Sequence, residues 1–302
     1  MTFQARIAHW LLRLRFRQRA AEIAAASGEE IATEFARMAA GARRFLPPLP
    51  SDLDIEGTGS GEWLRLRGRP ARRTVFYCHG GGYFWGSPQD YRDFGWRLAR
   101  ALEAEVFLLE YRLAPAHRCP APLEDALRAW RALAESGLDP ATTVLAGDSA
   151  GGGLALATAM ALRDAGEPLP AALCLISPWT DLTASGESLS TRSDADPMLD
   201  PVGLKKMAGM YLGESVAADD WRASPLWGNH AGLPPTLLQV GTDEILLSDS
   251  ERLAARMSEA GVDVDLRVWP DMYHVWHLGA AFVPEGRQAI REMSRFVDRK
   301  TG

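Results

Sequence analysis

Thr142-Thr143-Val144-Leu145-Ala146 runs directly into Gly147-Asp148-Ser149-Ala150-Gly151-Gly152-Gly153, and then into Leu154-Ala155-Leu156-Ala157-Thr158-Ala159-Met160-Ala161-Leu162. The first run is short, apolar and rich in β-branched residues, which reads as a buried strand. The last is a small-residue segment, which reads as a helix packed close to a sheet. Between them stands G-x-S-x-G, in the strand–turn–helix setting where a serine can be lifted on a sharp, strained turn. Glycines flank the serine because larger side chains would collide with the neighbouring strand and helix. Taken by itself the stretch also fits a glycine-rich turn with an idle serine. Two further segments argue against that plainer reading.

Upstream, the strand Arg73-Thr74-Val75-Phe76-Tyr77-Cys78 enters His79-Gly80-Gly81-Gly82-Tyr83-Phe84-Trp85-Gly86. Successive glycines let the main chain approach a reacting atom, and backbone N–H groups are the best donors to a developing oxyanion. The donors expected here are Gly81 and Gly82, with Gly80 a further candidate, together with Ala150 after the serine. His79 is expected to brace this loop rather than titrate. A phosphate-cradling loop is a poor alternative, since no Gly-Lys-Ser/Thr follows and the spacing is not that of a dinucleotide fingerprint.

A serine nucleophile needs a base, itself held by an acid. Pro235-Thr236-Leu237-Leu238-Gln239-Val240 reads as a strand opening onto Gly241-Thr242-Asp243-Glu244. Parallel sheets carry their chemistry at the carboxyl ends of strands. Asp243, the first acid beyond that strand, is the expected orienting acid, and Glu244 is expected to cap the following helix. After the strand Val264-Asp265-Leu266-Arg267-Val268-Trp269 comes Pro270-Asp271-Met272-Tyr273-His274-Val275-Trp276-His277. Its first histidine, His274, is the expected base, and His277 reads as a partly buried histidine at a helix start.

His79-Gly80-Gly81-Gly82, Tyr111-Arg112-Leu113-Ala114-Pro115, Gly147-Asp148-Ser149-Ala150-Gly151-Gly152, Ser224-Pro225-Leu226 and Gly241-Thr242-Asp243-Glu244 together resemble the hormone-sensitive lipase-like branch (family IV) of bacterial carboxylesterases. These are the HGGG and GDSAG motifs of that branch, and the resemblance runs from roughly residue 45 to the end. It implies an α/β-hydrolase fold, with a mainly parallel eight-stranded-type sheet, helices on both faces and a helical cap. It further implies carboxylic-ester hydrolysis by Ser149, Asp243 and His274 acting on a small-molecule ester, with no cofactor and no metal. A homodimer joined along the last strand, 264–269, is also implied. Two departures stand out. His274-Val275-Trp276 replaces the usual His-Gly-Phe, and Asp243-Glu244-Ile245 replaces Asp-Pro-Leu. Two other readings stay open on the same motifs: a non-catalytic receptor for a small ligand, and a lactonase or amidase using the same triad.

Composition agrees with a globular enzyme. The chain has 302 residues, 47% hydrophobic and 24% charged, enough for one large core with insertions. A net charge of −6 gives a nucleic-acid partner no electrostatic support. Cys78 and Cys174 fall in expected buried strands and read as core residues, and His117-Arg118-Cys119 has no metal-site spacing. No apolar stretch is long enough to span a membrane, so no stable membrane insertion is expected. Arg13, Arg15, Arg17 and Arg19 interrupt the apolar run a signal peptide requires, so the default location is cytoplasmic.

Strands are expected near 63–67, 73–78, 105–110, 142–147, 172–177, 236–240 and 264–269, alternating with helices and with the first strands antiparallel at one edge. Ile7, Trp10, Leu11 and Leu14 share a helical face, as do Ile31, Phe35 and Met38. These residues are expected to form cap helices within residues 1–45, their apolar faces over the site, rather than a membrane-surface helix. The catalytic domain is expected over 46–302, with a cap insertion at about 185–222. Trp85, Trp179, Val275, Trp276, Met210 and Tyr211 are the expected pocket residues, with Met198, Leu199 and Met207 available to line the insertion. A compact apolar pocket of that kind suits short acyl chains.

Overall fold

The computed structural model describes residues 1–16 and 26–301. Helices α1 (Phe3–Phe16) and α2 (Gly28–Arg43) precede an eight-stranded sheet. Its strands are β1 (Leu53–Thr58), β2 (Gly61–Leu66), β3 (Arg73–Cys78), β4 (Ala104–Leu109), β5 (Thr143–Asp148), β6 (Ala172–Ile176), β7 (Thr236–Asp243) and β8 (Val264–Tyr273). They lie in the order β1-β2-β4-β3-β5-β6-β7-β8. β1, β2 and β4 pair antiparallel, and the pairs from β4 through β3 to β8 are parallel.

Each central strand sends alternate side chains into two separate cores, as the period of a strand requires. Phe76, Phe107, Leu145 and Leu173 face one layer with Trp130 of α4 (Ala121–Glu135), Leu154 of α5 (Ala150–Asp164) and Leu253 of α8 (Leu247–Glu259). Val75, Val106, Val144 and Ala172 face the other, with Phe94 of α3 (Pro88–Ala101) and Phe296 of α9 (Pro284–Thr301). Both faces are covered, which is why these strands read as continuous apolar runs. Cys78 and Cys174 fall in opposite layers, and all three cysteines are free.

Seven of the eight strands fall where the periodicity puts them. β1 is the exception: Leu53-Asp54-Ile55-Glu56-Gly57-Thr58 is almost wholly exposed at the sheet edge, so it lacks the apolar signature of a buried strand. β7 and β8 each run several residues further than their apolar runs suggest, to Asp243 and Tyr273. Between β6 and β7 lie a short helix α6 (Ser188–Thr191) and α7 (Pro201–Leu212). The side chain of Asp200 caps α7, accepting from Val202 N and Gly203 N.

The turn from β5 to α5 depends on close backbone contact. A Cβ at residue 151 would stand 2.1 Å from the carbonyl oxygen of Cys78 and 2.3 Å from that of His79. Both obstacles are main chain at the end of β3, which cannot rotate away. Gly151→Ala is therefore expected to destabilise the protein by about 1–3 kcal/mol, the usual cost of overpacking, read as a lowered urea midpoint with unchanged m-value.

Candidate active site

Ser149 sits at the junction of β5 and α5 with φ 53° and ψ −125°, a left-sided conformation that a serine adopts only under constraint. Main-chain bonds hold it there. Ser149 N donates to the Ile176 carbonyl (2.9 Å), and the Ser149 carbonyl accepts from Trp179 N (2.8 Å). The hydroxyl is 3.0 Å from Nε2 of His274, which follows the last residue of β8.

Behind the imidazole stands Glu244 rather than Asp243. Glu244 Oε2 is 2.9 Å from His274 Nδ1, and both side chains are buried. Glu244 Oε1 accepts from Gly241 N (2.6 Å) and from the Ser177 hydroxyl (2.9 Å). Asp243 is the last residue of β7, paired with Tyr273, and its carboxylate is turned away toward His9 of α1, 4.0 Å off. The reason is the length of the strand. A register shift between Gly241 and Asp243 carries β7 past Val240, so the first acid beyond the strand is Glu244. Nor does Glu244 serve as a helix cap, since both its oxygens are committed to this site.

A carboxylate can only accept, so His274 Nδ1 carries the proton and Nε2 presents its lone pair to the serine. Burial alone would lower the pKa of His274. The hydrogen bond and charge of Glu244, helped by the charges of Asp196 and Asp148, outweigh that and raise it above 6.5. The other buried histidines are held neutral. Burial pushes His79 down to about 4 and His277 down to about 3. His79 donates from Nδ1 to the Gly80 carbonyl (2.7 Å) and stacks on Tyr111, with ring centroids 4.2 Å apart. His277 lies against the Gln239 side chain, its Nε2 3.1 Å from Oε1.

The glycine loop divides in two. Gly80 N donates to Asp148 Oδ1 (2.9 Å) and lies 3.0 Å from the Tyr91 hydroxyl, so it is committed to the scaffold and is not an oxyanion donor. Gly81 and Gly82 adopt φ of 111° and 63° and line the cavity beside Ser149. Among the described residues no hydrogen bond engages their N–H groups or that of Ala150, at the first turn of α5. Asp148 joins the two loops, since it also accepts from the hydroxyls of Tyr77 (2.8 Å) and Tyr91 (2.9 Å). Burial raises its carboxyl to about 6, against the lowering effect of those donors.

The cavity over Ser149 measures about 350 Å³. Trp85, Trp179 and Val275 line it, whereas three other expected wall residues do not. Trp276 is fully buried against Trp269 and Ala5, and Tyr211 is stacked on Tyr83 with centroids 3.9 Å apart. Met210 packs beside Gly28 instead. The insertion contributes Met198, Leu199, Leu204 and Met207, while Leu12, Phe16, Phe35 and Met38 come from α1 and α2. Phe35 stacks on Trp85 at 5.8 Å and 4°. α1 is rotated from the expected orientation, because Ile7, Trp10 and Leu14 point away from the cavity.

Residues 75–278 match the family model described as alpha/beta hydrolase fold. The chain belongs to that family, on its hormone-sensitive lipase branch. It is similar to an acetyl-hydrolase of Streptomyces hygroscopicus, 45% identical over 259 residues and 84% of each chain. A crystal structure of an esterase of the bacterial hormone-sensitive lipase family is 38% identical with TM-score 0.89, covering 100% of this hydrolase and 99% of that chain. A crystal structure of EstE5 soaked with p-nitrophenyl butyrate is also 38% identical, with TM-score 0.90 and the same coverage.

Glu244→Gln is expected to lower kcat by about 10³–10⁴-fold, as loss of an orienting acid does in serine hydrolases, whereas Asp243→Asn keeps it within about threefold. Only neutral His274 can take a proton, so wild-type kcat/KM rises as pH climbs through a pKa above 6.5. With the carboxylate removed, that acid limb is expected to move to lower pH. A pH–rate profile of both variants checks the assignment.

Proposed function

We propose that this hydrolase is a serine carboxylesterase that cleaves short-chain acyl esters through an acyl-enzyme. The observation that carries the reading is the unbroken line from Ser149 Oγ through His274 to Glu244, at 3.0 Å and 2.9 Å. His274 takes the serine proton as Oγ attacks the ester carbonyl. Glu244 keeps the imidazole in the required tautomer and stabilises its charged form. The N–H groups of Gly81, Gly82 and Ala150 receive the oxyanion as the tetrahedral intermediate forms. Its collapse breaks the C–O bond, and His274 returns the proton to the departing alcohol. Water, deprotonated by the same imidazole, then attacks the acyl-serine and releases the acid.

The cavity supports a small substrate. At about 350 Å³ it lies near the lower end of the range of roughly 300–1,000 Å³ usual for ligand sites. Its aromatic and methionine walls offer apolar contact and few polar partners for a long or charged chain. The acetyl-hydrolase relative and the EstE5 soak with a butyrate ester point the same way. In this reading residues 1–45 and the insertion at about 185–222 act together as a cap over the catalytic domain. A purely receptive role gives no reason for the Ser149–His274–Glu244 line.

Initial rates on p-nitrophenyl esters of increasing length test the proposal. Activity is expected to peak at short acyl chains, and Ser149→Ala is expected to lose it by about 10⁴-fold or more. Met207 lines the cavity next to Gly82, so Met207→Ala is expected to move the optimum toward longer chains. Undiminished hydrolysis by the serine variant would refute the mechanism.

A further inference from the structure

Helix α1 carries a second apolar face that no described residue covers. Phe3, Ile7, Trp10 and Leu14 recur at helical spacing, so at about 100° per residue they form one stripe. They are 74%, 41%, 58% and 39% exposed. On the opposite side Ala5, Ala8, Leu12 and Phe16 face the protein. Arg6 and Arg13 follow one border of the exposed stripe, and Arg15 stands on the other. Single exposed apolar residues are ordinary on a protein surface, but a continuous row that includes tryptophan is not.

The charge of this segment opposes that of the rest of the chain. Residues 1–20 contain five arginines, Arg6, Arg13, Arg15, Arg17 and Arg19, and no Asp or Glu, in a protein of net charge −6. An apolar stripe bordered by arginines is the pattern of a helix lying in the plane of an anionic lipid surface. We propose that α1 docks the protein peripherally on an anionic phospholipid bilayer. Phe3, Ile7, Trp10 and Leu14 enter the headgroup–acyl boundary, and Arg6 and Arg13 along their border meet lipid phosphates. Docking does not require spanning, and no helix among the described residues is long and apolar enough to cross a membrane. A second copy of the chain is the poorer occupant, because two-fold pairing of this face would bring two sets of arginines together.

Leu11 connects this face to the cavity. It is 52% exposed beside the stripe and also lines the pocket over Ser149. The pocket rim therefore meets the docking face, and docking would bring it to the bilayer. Esters dissolved in the lipid would then reach the site without crossing water, a consequence that rests on the esterase reading. The docking itself does not.

Flotation of the full chain with phosphatidylglycerol-containing and pure phosphatidylcholine vesicles provides the test. Binding is expected only to the anionic vesicles and is expected to weaken as salt is raised. Trp10→Ser/Leu14→Ser is expected to cut partitioning by at least about tenfold, from the apolar burial lost. Neither residue lines the cavity, so the variant should keep its rate on a water-soluble p-nitrophenyl ester, which also reports that it is folded. Absence of anionic-vesicle binding, or equal binding by wild type and variant, would overturn the proposal. So would a dimer seen in sedimentation that the same two substitutions abolish while neither protein binds vesicles. Vesicle binding by a wild-type protein inactive on every ester would leave the docking face standing and remove the esterase reading.

Discussion

The backbone at Ser149 is the constraint on which the rest of this molecule is arranged. A positive φ at a serine costs on the order of 1–3 kcal/mol and persists only where surrounding contacts over-determine it. Here the determinants come from several directions. The main chain of Ile176 and Trp179 grips both sides of the residue, and α5 crosses the end of β3 with no room for a side chain at position 151. Asp148, one residue earlier, then fixes the opposing wall by accepting from Gly80 N and from two tyrosines that belong to β3 and α3. Ser149 and the loop facing it are thus parts of one buried hydrogen-bonded unit. Preorganisation of this kind is needed where charge develops during a reaction, because donors already in place cost no reorganisation.

The electrostatics follow from the same burial. His79, His274 and His277 are all withdrawn from water, which disfavours the charged imidazole in each. Only His274 has a carboxylate in contact, with Asp148 and Asp196 adding negative charge nearby, and only its pKa is raised. Asp196 is itself buried and accepts from Met198 N, Leu199 N and Ile245 N. That single side chain connects the insertion lining the cavity to the residue following Glu244. The environment, rather than residue type, selects which histidine can accept a proton.

The sequence shows the serine turn and the glycine loop plainly because both rest on steric demands that only glycine meets. The carboxylate partner of His274 is harder to read, for a specific reason. The carboxylate that meets His274 does follow its strand, but β7 continues through Gly241-Thr242-Asp243, a stretch without apolar alternation, so the end of the strand is invisible to periodicity. The histidine that meets Ser149 is legible despite the same extension of β8, since no earlier histidine competes with it. β1 is missed because an exposed edge strand has no buried face to pattern. Helix α1 misleads differently. Its large apolar residues suggest the inward face, yet alanines at 5 and 8 make the close contact and the bulky stripe points out.

That choice of small residues has a structural consequence for the site. Ala5 packs in a cluster with Met272, Tyr273 and Trp276, the residues on either side of His274, and with Val283 and Ala289. The seat of α1 and the loop holding the base are therefore one packed group. The remaining ties of α1 are of both kinds: Ala8 and Leu12 pack against the same cluster and Phe16 lies against Phe35, while Thr2 bonds Glu285 and Arg13 the Asp194 carbonyl. Polar contacts of that kind contribute little net free energy, because water replaces them readily. Helix α1 and the Ser149–His274–Glu244 line are thus adjacent in space, although they are far apart in sequence.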